Sequence, residues 1–238
     1  MERPSEETLA WGRARLAELG VADLPPAQRA ARICKYIHEG FEFSPERPPT
    51  IAAFIEKKSG NCYAHARLSA FLLRLAGVPA RFMYEVHLER KSPESTEQAR
   101  AAGIGLFGEF HNDHFWVLYQ DGDAWVPFDS GLGISNRADF RRVKIDEPAG
   151  GVANPPFLLW RESESEAENS RLVNVTQEFW RDIGRTTVPG VPEADWKALL
   201  DTLGRLEVTD LSKAPLSPER AAAIAHVGRQ FFRSLVKP

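Results

Sequence analysis

The apolar residues of this chain recur every three or four positions up to Gly77 and alternate from Ala80 onward, so helices come first and a sheet follows them. Ser5 with Glu6 and Glu7 caps a first helix that carries Leu9, Leu16 and Leu19 and stops at Gly20. A second helix starts after Pro25-Pro26, puts Ala30, Ile33, Cys34, Tyr36 and Ile37 on one stripe, and ends near Gly40. Thr50 caps a short helix, IAAFIEKK, stopped by Ser59-Gly60, and another helix runs from Asn61 or Cys62 to Leu75 or Ala76, with Gly77 as its end. Strands are then expected over 80–89, 114–120 and 124–129, the last two joined by a hairpin turn at Asp121-Gly122-Asp123. The segment 91–113 is too long for a passive connection and reads as a lid or substrate loop. Residues 148–175 are rich in Pro, Gly and charge, and RESESEAEN within them reads as a solvated excursion; helical periodicity returns over 194–205 and 218–236. The expectation is a single α+β domain over 1–238, with a C-terminal extension over 148–238 that ends in helices.

Composition narrows the function. Thirty basic and thirty-three acidic side chains leave a formal charge of −3 on 238 residues, so there is no general basic field for nucleic acid or an anionic membrane, and neither is expected as a partner. The acidic start of the chain lacks the apolar stretch of a leader peptide, and no segment has the length of a membrane span, so a cytoplasmic location is expected. Cys34 and Cys62 are the only cysteines. In a reducing compartment both stay thiols, and each needs its own explanation. Cys34 lies midway along an apolar stripe and reads as packing.

Cys62 is different because of its neighbours. In Gly60-Asn61-Cys62 the sulfur falls in the first turn of a helix, where unpaired N–H groups and the macrodipole favour a thiolate. Gly60 leaves the backbone bare for a substrate, and the Cys62 N–H can face a developing oxyanion. A thiol also needs a base and something to orient it. His114 opens one strand of the predicted hairpin and Asp129 closes the other, so the two would face each other across the pair, close enough for carboxylate and imidazole to hydrogen-bond. The plainer alternatives are a packing cysteine, a histidine at a strand start, and an aspartate opening the turn Asp129-Ser130-Gly131.

The blocks Gly-x-Cys, "LLRLAGVPAR", "HFWV" and "WVPFD", in this order and at these spacings, resemble the bacterial transglutaminase-like superfamily over about residues 28–131. The resemblance implies a papain-like fold in which the cysteine helix packs on an antiparallel sheet. It implies that Cys62 is a nucleophile, His114 its base and Asp129 the base's partner. Leu118 stands where many members carry an acidic residue, and Ser130-Gly131 replaces the usual Pro-Thr after the aspartate.

Gly60, Asn61, His65, His111 and Trp116 are candidates for the substrate pocket. His65 lies one turn after Cys62 on the same helix and is expected in a packing or rim role rather than as the base. His111, Asp113 and His114 have no helical spacing for a metal, and neither metal nor organic cofactor is expected. Calcium, known in animal relatives, is not implied, since no loop of the DxDxDG kind is present. The expected chemistry is attack on an amide or thioester carbonyl through an acyl-thioester, with hydrolysis of an amide or peptide bond as the default outcome. The alternatives are transfer of the acyl group to an amine, with a carrier-protein thioester as one form of donor, and a binding domain that has lost the chemistry.

Overall fold

The computed structural model describes residues 4–87, 112–146, 157–162, 172–175 and 178. Residues 91–111 of the expected lid, the candidate His111, most of the acidic run and the C-terminal helices over 194–205 and 218–236 lie outside the described residues, while Asn112 and Asp113 of that segment open a strand. The chain divides into two compact units, one of Met1–Met83 with His114–Ala153 and one of Tyr84–Asp113 with Asn154–Pro238.

The first unit begins with four helices, α1 (Glu6–Glu18), α2 (Pro26–Gly40), α3 (Ile51–Lys57) and α4 (Cys62–Leu75). Helix α4 is the hub: α1, α2 and α3 all pack against it, and its positions 64–73 are buried without a break. A helix that is apolar nearly all round has no face left for solvent and must sit inside. Helix α1 meets it through Thr8, Gly12 and Leu16 rather than through the expected Leu9, Leu16 and Leu19. The reason is proximity, because a Cβ on Gly12 would lie 2.6 Å from a Leu75 methyl and 2.8 Å from the Phe71 ring. Helix α2 buries Ala30, Ile33, Cys34 and Ile37, the stripe read from the sequence.

Helix α3 ends one residue before the expected Ser59-Gly60 stop, at Lys58, whose φ of 53° is left-handed. Ser59-Gly60 instead forms a two-residue strand, β2, parallel to β1 (Glu42–Phe43). Strand β3 (Ala80–His87) is divided between the two units, while β4 (Asn112–Asp121) and β5 (Ala124–Phe128) form an antiparallel hairpin. Its turn is Gly122-Asp123, with Gly122 at φ +59°. Beyond it come a short helix α5 (Arg137–Arg141), capped by Asn136, and a π-helical turn (Arg142–Asp146). The core of this unit holds Trp116, Val117, Tyr119 and Phe128 from the hairpin, with Trp116 against Phe140 of α5 at 5.0 Å between centroids.

In the second unit β6 (Phe157–Glu162) and β7 (Leu172–Asn174) pair antiparallel, with Trp160 opposite Asn174. No strand was read within 148–175, and β6 takes in Arg161 and Glu162, the first two residues of the run read as a solvated excursion. The run Phe157-Leu158-Leu159-Trp160 is strand-forming, and Leu159 is fully buried.

Candidate functional site

Asn61 fixes where α4 begins: its side-chain oxygen accepts the Ala64 N–H at 3.2 Å. The segment before it is tied down as well, because the Ser44 N–H donates to the Gly60 carbonyl at 2.9 Å and the Asn61 N–H to the Glu46 carbonyl at 2.7 Å. Cys62 is therefore the first residue of a fourteen-residue helix whose start cannot slide. The first backbone N–H groups of a helix have no acceptor within it, so the partly exposed Cys62 thiol stands in a field that favours negative charge.

Opposite stands His114 on β4. Its Nε2 lies 2.6 Å from Oδ2 of Asp129, and Cys62 is near enough to help raise its pKa. Since Nε2 is taken by the carboxylate, Nδ1 is the ring nitrogen left for another partner. The structure thus pairs His114 with Asp129 and brings Cys62 near them, all within the first unit. Burial alone would lower the pKa of His114, and Lys144 opposes protonation too. The Asp129 carboxylate, the hydrogen bond to it and the nearby Cys62 outweigh both and carry it to about 10.

The hairpin register differs from the one expected. Val117 pairs with Phe128, so continuing the ladder puts Asp129 opposite Trp116 and diagonal to His114, not face to face with it. Diagonal neighbours on one face of a sheet, about 7–8 Å apart, are within reach of a histidine and an aspartate side chain.

Both carboxylate oxygens of Asp129 are engaged. Its Oδ2 meets the imidazole, while its Oδ1 accepts the Leu132 N–H at 3.3 Å and shapes the turn that follows. Its backbone bridges to Ile134 in both directions, at 2.8 and 2.9 Å. That turn is clamped from three sides. The Cys34 thiol donates to the Ile134 carbonyl at 3.4 Å, the His38 Nδ1–H donates to the Ser130 carbonyl at 3.1 Å, and the Ser69 and Ser130 hydroxyls meet at 2.9 Å. Cys34 is a buried thiol whose pKa burial, with Asp129 and Asp139 nearby, pushes up to about 12. His38 and Ser69 were not singled out in the sequence, and Ser130 was noted only as a turn residue and a departure from the family pattern. The one hint of them is that His38 follows Cys34 by four residues on the same helix.

The other candidates lie in the packing around this array. Gly60 is buried, and a Cβ there would sit 3.0 Å from both the Ala64 Cβ and the Phe54 ring, so glycine makes room for helix packing. His65 is 2% exposed, its ring 5.1 Å from that of Phe54, and burial is the main cause of its lowered pKa. Trp116 is buried beside Phe140.

Chemically, a sulfur at a helix start, an imidazole held protonated, and a carboxylate behind it form an arrangement suited to nucleophilic attack on a carbonyl. Residues 14–130 match the family model of the transglutaminase-like superfamily. Among solved structures, the chain is similar to the periplasmic domain of TgpA from Pseudomonas aeruginosa, at 24% identity and a TM-score of 0.40, covering 58% of this chain and 47% of that one. The same domain bound to ethylmercury gives 24% identity and a TM-score of 0.40, covering 56% and 48%. The match thus spans about half the length of those domains. No curated protein matches. With its motif blocks in order and its mixed helix-and-sheet fold, the segment 14–130 has the fold of the transglutaminase-like superfamily.

Proposed function

We propose that this protein is a cysteine-dependent hydrolase of an amide or peptide bond, acting through an acyl-thioester on Cys62. The observation that carries this reading is the 2.6 Å His114–Asp129 pair beside Cys62 at the N-terminus of α4. The Cys62 sulfur attacks the carbonyl carbon, and the oxygen that becomes negative is stabilised by the free N–H groups of the first helical turn. His114 then gives its Nδ1 proton to the departing amine, which leaves an acyl-thioester. A water molecule enters, His114 takes its proton, and attack on the thioester carbonyl releases the acid and restores the thiol. Asp129 holds the imidazole in one orientation throughout and stabilises its positive charge.

The first turnover assay uses p-nitrophenyl acetate, with intact-mass detection of the adduct. An acetyl group on Cys62 that forms in a burst and decays in water is expected, and it is absent in Cys62→Ala and His114→Ala. Decay accelerated by an added primary amine, with the amide as product, would reassign the reaction to acyl transfer. A Cys62→Ala variant that keeps the burst would overturn the reading.

A further inference from the structure

The loop 44–49 is tied to the start of α4 at three points. They are the Ser44 and Asn61 backbone bonds already described and a bond of 2.8 Å from the Arg67 guanidinium to the Pro49 carbonyl. In the middle of this strap Arg47 lays its guanidinium over the ring of Tyr63, 4.3 Å from the centroid, and Tyr63 is the residue immediately after Cys62. Arg67 approaches the same ring at 5.5 Å, and Phe115, next to His114, meets it edge-on at 5.1 Å. The Tyr63 ring therefore links the elements that carry the sulfur and the imidazole to a guanidinium held in a fixed place.

Arg47 makes no hydrogen bond and no ion pair among the described residues, and it is exposed. The nearby Glu46 does not neutralise it, because Glu46 is paired with Lys57. Stacking on a ring uses the face of a guanidinium and leaves its edge, a planar fork of N–H donors, for an acceptor. The acceptor that matches such a fork is a carboxylate held by two parallel bonds.

We propose that Arg47 is a specificity-determining residue which reads a carboxylate on the substrate beside the carbonyl that Cys62 attacks. The substrate class is then an acyl donor or peptide with a free carboxylate close to the scissile bond. This rests on the reading of Cys62 as a reactive nucleophile, and the test keeps the two apart.

The smallest probes are iodoacetate and iodoacetamide, which present the same electrophilic carbon with and without a carboxylate. Rates of Cys62 alkylation by both are measured on the full chain at low ionic strength by intact mass and peptide mapping, for the wild type and Arg47→Gln. The ratio of the two rates cancels any change in how much of the thiol is ionised. If the carboxylate lies about 7 Å from the guanidinium, losing one unit charge screened as in bulk water lowers the iodoacetate-to-iodoacetamide ratio about three-fold, and a closer contact lowers it more. Added salt should lower the wild-type ratio further than that of the variant. Equal ratios in the two proteins would overturn the proposal while leaving Cys62 a reactive thiol. If Cys62 reacts with iodoacetamide no faster than glutathione does, the parent reading fails, and the proposal with it.

Discussion

Replacing Asp129 with asparagine keeps the shape of the side chain and removes the carboxylate that holds His114 protonated. In the wild type the imidazole rises from 6.5 to about 10 against the pull of burial. A rise of about 3.5 units, at about 1.4 kcal/mol per unit, sets a ceiling of about 5 kcal/mol on what the protonated form gains by folding. The net gain is smaller, since desolvating both partners of a buried ion pair offsets part of their attraction. Because the proton is bound more tightly in the folded chain, this contribution is complete below pH 6.5 and is lost as the pH rises toward about 10. With asparagine in place, burial and Lys144 act unopposed by the carboxylate, and His114 should titrate below 6.5. Two measurements follow the change: nitrogen-15 spectra of the histidine side chains across pH, with His114 assigned by its alanine variant, and urea midpoints over the same range. The wild type should lose stability between pH 6.5 and about 10, whereas Asp129→Asn should stay level there. Parallel stability curves for the two proteins, or a wild-type His114 that titrates near 6.5, would refute this account of the pair.

Other consequences follow from the same surroundings. Gly60→Ala should destabilise the fold by about 1–3 kcal/mol in urea unfolding, since its Cβ would crowd Ala64 and Phe54 at 3.0 Å. Cys34 should resist iodoacetamide in the native protein at neutral pH and become labelled only on unfolding, which peptide mapping would read directly. His65, whose folded pKa is lowered, favours the folded state above pH 6.5 and withdraws that contribution as the pH falls. His65→Leu should therefore lose less stability than the wild type on acidification, as compared by urea midpoints on either side of that pH.

The helices around Cys62 were legible because their signals are local. Thr50 and Asn61 are caps, Gly77 is a left-handed stop at φ +75°, and the stripe of α2 repeats at helical spacing. What the sequence did not disclose depends on contacts between distant segments. The inner face of α1 follows Thr8 and Gly12 because α4 comes too close for larger side chains, and no hydrophobicity pattern within α1 records that distance. The strand at Phe157–Glu162 was hidden by the prolines, glycines and charges on either side of a short apolar run. Two of the three ties on the strap 44–49 around Arg47 are backbone bonds, which leave no trace in residue type.

The hairpin shows most clearly why a motif can be found for an incomplete reason. A face-to-face pairing of His114 and Asp129 requires the turn one residue earlier than Gly122-Asp123, where it stands. The two side chains meet all the same, because both fall on one face of the sheet and the diagonal is short enough to span. The turn after Asp129 does the rest: by engaging Oδ1 with the Leu132 N–H, it aims Oδ2 at the imidazole. A turn-opening aspartate and a histidine-orienting aspartate were competing descriptions of one residue only while its two oxygens were treated as one. The clamp on that turn by Cys34, His38 and Ser69 would matter to the proposed reaction, since whatever loosens the turn loosens the aim of Oδ2.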